Sequence, residues 1–242
     1  MADGSTDQRY LLDEPGTWRR VFRLRVCPDG AQTLGAVVVC IVVVVMTSLA
    51  ARNGDVTRVE ASVLRWFNGW PDAFEPIMWF LQQAGVLFAP IIVGVIVAIV
   101  ARRWTLVIPF VLVLPLKLLL EKGIVKTIIE RQRPYVSYGR DINVRGGVFE
   151  GLSFPSGHTT TAFATSVLLV ALIPRRWRPL PIVWAVLVGV ARMYMGEHNL
   201  YDVVAGAALG TMFGTVLWFA VLSNDHVGGP VEAEPMNQRR AS

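Results

Sequence analysis

Charge is scarce in this chain: 17% of its 242 residues are Asp, Glu, Lys or Arg, whereas 53% are hydrophobic. That balance, with a mean hydropathy of +0.48, excludes an ordinary soluble domain and points to a polytopic membrane protein. Cysteine is nearly absent. The two present, Cys27 and Cys40, would lie about 20 Å apart on a helix, beyond disulfide reach, and neither points to a metal site or a redox role. Acidic residues form no cluster resembling a magnesium or zinc site, since Asp141, Glu150 and Glu197 are scattered; neither a metal nor any other cofactor is expected. No internal repeat or low-complexity tract occurs. Histidine is the remaining rarity. Of three in the chain, His158 and His198 sit in short polar clusters at the ends of long apolar segments.

Six stretches, roughly 32–51, 77–101, 105–129, 156–174, 180–197 and 199–222, are long enough to cross a hydrocarbon core of ~30 Å. The expected fold is all-α, a six-transmembrane helical bundle spanning 31–222, flanked by a polar N-terminal segment at 1–30 and a polar tail at 223–242. The first apolar run follows too long a leader for a cleaved secretory signal, so the first span should remain in the mature protein. A net charge of +5 would fit a nucleic-acid partner, but the basic residues gather between spans, so the bilayer is the expected partner instead. Arg9, Arg19, Arg20, Arg23 and Arg25, then Arg102 and Arg103, then Arg175, Arg176 and Arg178, and finally Arg239 and Arg240 all fall on one side. That bias predicts a multi-pass plasma-membrane protein with both termini cytoplasmic, although the opposite side also carries several cations.

With six spans, three clusters meet at the extracytoplasmic boundary: 126–134, the start of span four, and the turn between spans five and six. In the first, Lys126 and Arg133 share a helix face with Lys122 if the helix continues that far, and a row of like charges suits an anion. Lys117 and Glu121 read as a separate buried pair. In the second, Pro155-Ser156-Gly157-His158 opens a helix whose free backbone N–H groups can cradle an anion; Gly157 permits close approach, Ser156 adds a hydroxyl, and His158 is placed to protonate a departing oxygen. In the third, His198 and Asp202 are four residues apart and share a helix face, so the carboxylate can orient the imidazole as a nucleophile. Singly, each cluster also suits a helix cap or a snorkelling cation. Together on one face they argue for a phosphate site.

Two other segments carry a pattern. Residues 55–75 place Val63, Leu64, Trp66, Phe67 and Trp70 among charges, which suits either an interfacial helix bordering a lipid entrance or a loop packed over the bundle. Gly206, Gly210 and Gly214 open one face of span six to another helix, for packing within the chain or, less favoured, for a homodimer.

In order and spacing, Lys126-x6-Arg133-Pro134, Pro155-Ser156-Gly157-His158 and Arg192-x5-His198-x3-Asp202 resemble the three-part signature of the type 2 phosphatidic acid phosphatase superfamily. The resemblance implies a metal-independent lipid phosphatase. It also implies that His198 attacks phosphorus to form a phosphohistidine, that Asp202 orients it, and that His158 protonates the leaving group. Lys126, Arg133, Arg192, Ser156 and Gly157 would bind the phosphoryl oxygens. Ala191 stands where the family commonly has serine, which removes one phosphate hydrogen bond. The expected substrate is a lipid phosphate, first polyprenyl pyrophosphate, with Arg131, Arg140 and Arg145 available to a second phosphate. Phosphatidylglycerophosphate, phosphatidic acid, transfer to a lipid alcohol, and non-enzymatic lipid-phosphate binding or transport remain open.

Overall fold

The computed structural model describes residues 30–52, 56–147 and 150–222; the terminal segments expected at 1–30 and 223–242 fall, but for Gly30, outside them. Among the described residues ten α-helices follow one another: α1 (Gly30–Ala51), α2 (Arg58–Asn68), α3 (Glu75–Gln82), α4 (Ala89–Ala101), α5 (Val107–Leu116), α6 (Lys126–Ile129), α7 (Pro134–Tyr138), α8 (Gly157–Leu172), α9 (Pro179–Tyr194) and α10 (Leu200–Leu217). Among the described residues there is no strand.

Among the described residues three continuous helical stretches are long and apolar enough to cross a membrane: Gly30–Ala51, Trp104–Asp141 and Leu200–Val221. The stretch expected as span two is broken. Its halves, Asp72–Gly85 and Ala89–Ala101, meet at a bend of 72°, where Gly85 backs onto α8 so closely that a Cβ would lie 2.6 Å from His158 O. Helices α8 and α9 have 16 residues each, about 24 Å at 1.5 Å per residue, shorter than the hydrocarbon thickness. The expected third span contains Pro115, which supplies no N–H to the helical ladder, and nine π-helical residues, Lys117–Val125, follow it. The side chain of Lys122 lies outside what is described.

Burial is distributed as lipid surroundings require. Helix α1 buries only Cys40, Thr47 and Ala51, while Val39, Val42, Met46 and Leu49 face outward. Phe110, Leu168, Leu209 and Phe213 anchor the apolar core between α4, α5, α8 and α10. Helix α8 also buries Thr159, Thr160, Thr161 and Thr165, whose hydroxyls hydrogen-bond within the helix or its cap.

Helix α2 combines the two readings of 55–75. Thr57 and Glu60 form a capping box at its start, and its inner face buries Glu60, Leu64 and Asn68 against the bundle. Trp66 points outward, 62% exposed, at the head of a run of ring contacts through Trp70 to Phe74.

The glycine stripe of α10 is used inside the chain. A Cβ at Gly206 would lie 2.6 Å from Ser156 O, at Gly210 2.2 Å from Thr160 O, and at Gly214 2.7 Å from Val167 Cβ. Helix α8 therefore occupies the face on which a homodimer was considered. Gly210→Ala should force the pair apart at a cost of about 1–3 kcal/mol, read as a lower thermal midpoint in detergent. An unchanged midpoint would show that the two helices are not held this tightly.

Candidate active site

Backbone contacts draw the second and third clusters together. Ser156 N donates to Asp202 O at 2.9 Å, which pins the Pro-Ser-Gly-His turn to the first turn of α10. Ser156 is the N-cap of α8 yet makes no side-chain cap bond; its hydroxyl instead accepts from Thr159 Oγ1. A Cβ at Gly157 would lie 2.7 Å from Glu121 Oε1 and 3.2 Å from Lys117 Cε, so a larger residue there would displace the ends of both side chains. Glu121 in turn pairs with Lys126 at 3.6 Å. Lys117 and Glu121, expected to stand apart, thus belong to the wall of the site.

His198 and Asp202 lie close, but not on a shared helical turn. His198 precedes the helix, whose N-cap is Asn199, and Asp202 closes a capping box by accepting from Asn199 N at 2.8 Å. His198 Nδ1 is 3.7 Å from Asp202 Oδ2, longer than a hydrogen bond, and Ser153 sits between them. Its hydroxyl donates to Asp202 Oδ2 at 2.5 Å and lies 3.4 Å from His198 Nδ1. Burial pushes the imidazole pKa down to about 3; Asp202 opposes that shift and Arg192 adds to it. The ring is therefore neutral at physiological pH.

The basic residues do not form a helical row. Helix α6 ends at Ile129, Glu130 takes a left-handed conformation (φ 48°), and Arg133 enters the site as the N-cap of α7. Arg133 Nη1 donates to Glu197 Oε2 at 3.1 Å and Nε to Gly151 O at 3.1 Å. Arg192, on the last turn of α9, also donates to Glu197 Oε2, and to Gln82 Oε1. One carboxylate oxygen is thereby held between two guanidinium groups, immediately before His198. Glu197 Oε1 and Arg192 Nε, both buried, have no hydrogen-bond partner, so the cluster is not fully satisfied. Lys126 Nζ donates to Leu152 O at 3.1 Å.

A cavity of about 460 Å³ opens beside this cluster, lined by Lys117, Lys126, Arg133 and His158 with apolar Val86, Leu87 and Leu118. The structure thus gathers all eight expected residues, in two layers. Lys126, Arg133 and His158 face the cavity, while Ser156, Arg192, His198 and Asp202 are buried, with Gly157 at the head of α8 beside them. Ala191 lies in an apolar cluster with Met78, Tyr194 and Met195. Among the described residues no group of three or more His, Cys, Asp or Glu side chains is arranged to hold a metal ion.

Two of the arginines expected to meet a second phosphate are committed elsewhere. Arg131 pairs with Glu60 and Asp202, and Arg145 donates to Asn68 O, Tyr194 O and Asp72. Sequence reasoning missed Glu60, Gln82, Ser153 and Glu197. Only Glu60 left a signal, the Thr57-x-x-Glu60 capping pattern; Glu197 looked like one scattered acid among several.

Residues 106–225 match the family model of the PAP2 superfamily. The chain is 25% identical over 178 residues to the lipid A 4'-phosphatase of Bacteroides thetaiotaomicron, covering 66% of this chain and 76% of that protein. It is 32% identical over 106 residues to the decaprenylphosphoryl-5-phosphoribose phosphatase of Mycobacterium tuberculosis, covering 44% of this chain and 52%, about half, of that relative. Its fold is similar to the crystal structure of a transmembrane PAP2-type phosphatidylglycerolphosphate phosphatase from Bacillus subtilis, with a TM-score of 0.60 and 22% identity over 81% of this chain and 98% of that one. The matched stretch contains the whole set from Lys126 to Asp202, and the chain belongs to the PAP2 superfamily.

Proposed function

We propose that this protein is a lipid phosphatase of the membrane that removes one terminal phosphoryl group, without a metal, through a phosphohistidine at His198. The observation that carries the reading is the Glu197 carboxylate held between Arg133 and Arg192. Two guanidinium groups aimed at one buried anion, beside a neutral imidazole, form a site for phosphoryl oxygens, and the resident carboxylate stands where a phosphoryl oxygen would sit.

In the proposed reaction a phosphate enters from the cavity past Lys126 and Arg133 and displaces Glu197. Lys126, Arg133 and Arg192, with Ser156 and the backbone at Gly157, hold its oxygens as charge develops on them. His198 Nε2 attacks phosphorus, its Nδ1–H held toward Ser153 and Asp202, and the P–O bond to the leaving group breaks as His158 gives that oxygen a proton. Water then attacks the phosphohistidine, His158 takes the water's proton, and phosphate leaves with His198 neutral again. Asp202 offsets the positive charge on the imidazole in both steps.

The substrate class follows from the surroundings. Val86, Leu87 and Leu118 at the cavity suit a lipid tail, and the relatives named above act on lipid phosphates. With Arg131 and Arg145 engaged, only the exposed Arg140 of the three arginines is left for a second phosphate, and the buried cations serve a single phosphoryl group. The site suits a lipid phosphomonoester as well as the terminal phosphate of polyprenyl pyrophosphate. Six spans, cytoplasmic termini, a plasma-membrane location and an extracytoplasmic site complete the proposal, and the distribution of arginines supports that orientation.

Purified protein in detergent with excess EDTA should release phosphate from polyprenyl pyrophosphate, phosphatidylglycerophosphate and phosphatidic acid, and His198→Ala should release none. Activity lost to EDTA and restored by a divalent ion would remove the metal-independent mechanism; cellular function retained by His198→Ala would favour a binder or transporter. The pH profile gives a second check. A nucleophile whose pKa is lowered to about 3 stays unprotonated until the pH approaches that value. kcat/KM, which reports the free enzyme, should therefore show no acid limb from His198 near the ordinary histidine value of about 6.5; a His198 imidazole NMR resonance, assigned by its loss in His198→Ala, that titrates near that value would contradict a buried neutral imidazole. Finally, Glu197→Gln keeps the shape of the side chain but cancels its charge. Inhibition by inorganic phosphate should tighten by roughly three- to tenfold as the competing anion is removed, and unchanged or weaker inhibition would show that Glu197 does not stand in for phosphate.

A further inference from the structure

The most completely buried ion cluster in the described residues lies outside the phosphate cations. Arg131 Nη1 donates to Glu60 Oε1 and to Asp202 Oδ1, both at 2.9 Å, and Nη2 donates to Glu60 Oε2 at 2.8 Å. The side chains of Arg131, Glu60 and Asp202 are each no more than 1% exposed. Glu60 is fixed from two further directions, accepting from Tyr201 N at 3.1 Å and Thr57 N at 3.4 Å. The ring closes through Ser153, whose N donates to Arg131 O at 2.7 Å and whose hydroxyl donates to Asp202 Oδ2.

We infer that Arg131 and Glu60 are positioning residues of the reaction: Glu60, carried by α2, aligns the Arg131 guanidinium, which fixes the Asp202 carboxylate beside the His198 nucleophile. The inference rests on the reading of His198 given above. Arg131 does not line the cavity, and the planar edge of its guanidinium is turned to two carboxylates, so its position is not that of a phosphate ligand. Charge balance explains why two acids are needed. Arg131 alone would neutralise Asp202 and leave little negative potential for the imidazolium that forms on attack. With Glu60 the trio carries a net charge of −1, and geometry and negative potential are kept together. Breaking either contact frees Asp202 to rotate or weakens its hold on the His198 ring.

The test is a double-mutant cycle in the full-length protein, with turnover, KM and inhibition by inorganic phosphate measured for Glu60→Gln and Arg131→Gln, alone and combined with Asp202→Asn. Alone, each should lower kcat by about ten- to a hundredfold while KM and phosphate inhibition move less than about twofold; in the Asp202→Asn background each should add less than about threefold. Equal losses in both backgrounds would mean that the pair only supports the fold and would overturn the inference, as would a raised KM with kcat intact, which would make Arg131 a phosphate ligand. Arg131→Lys serves if the glutamine variant does not fold. It retains the charge but not the two-sided contact, so kcat should be partly restored, and restoration to the full wild-type rate would also overturn the inference. Wild-type protein that releases phosphate from no lipid would instead remove the proposed function, and the inference with it.

Discussion

Helices α8 and α10 run so close that carbonyls of one fill the space where side chains of the other would begin: Ser156 O, Thr160 O and Ala164 O lie against Gly206, Gly210 and Gly214. In lipid this contact gains nothing from hydrophobic exclusion and depends on van der Waals packing at close range. Its consequence is chemical. At the mouth of the pair the same approach lets Ser156 N reach Asp202 O. The turn bearing His158 and the turn bearing His198 are then held by main-chain geometry and not by flexible side chains. Threonines on α8 make the contact possible by satisfying their hydroxyls within the helix or its cap.

Around this frame, buried cations and carboxylates alternate. Arg131 lies between Glu60 and Asp202, Glu197 lies between Arg133 and Arg192, and Glu121 meets Lys126. Burying an unpaired charge is far more costly than burying a matched set, so the resting site neutralises itself. A phosphate dianion can enter such a site by exchange, taking over guanidinium contacts from a carboxylate already in place. This differs from an open cationic bowl, whose self-repulsion would have to be balanced elsewhere. The two kinds of pair do different work. Glu197 is bound to Arg133, which lines the cavity, and to Arg192 buried behind it, and in the proposed reaction it gives way to phosphate, whereas Glu60 is enclosed on every side and serves to hold.

Much of the site was legible in the sequence because its residue types are costly in an apolar chain and therefore conspicuous. The eight residues read from three clusters do converge. What spacing misjudged was the local path of the chain. Arg133 shares a face with Lys126 only if the helix continues to it, and the chain leaves the helix at Glu130 and brings Arg133 in from a different direction. His198 and Asp202 were paired by helical period, but His198 precedes the helix, and a serine from a distant loop lies between them. The fold shows the same pattern. Apolar length located α1 and α10 well, while the bend near Gly85 falls where the chain packs against His158, a contact that no local periodicity records.

By itself the sequence determined that the chain is a helical membrane protein, that three polar clusters stand at the ends of its apolar segments, and that those clusters suit phosphate chemistry. Hydropathy is a property of each segment, and rare residue types stand out wherever the chain runs, so both survive without knowledge of contacts. Only the tertiary structure decided which charges face the cavity and which are spent on one another. It turned Arg131 and Arg145 from candidate phosphate ligands into internal struts, and it raised Glu60 and Glu197 from background acids to partners of the site. The reason is that a buried charge takes its role from what lies within a few ångströms, and those neighbours here come from segments up to 141 residues apart.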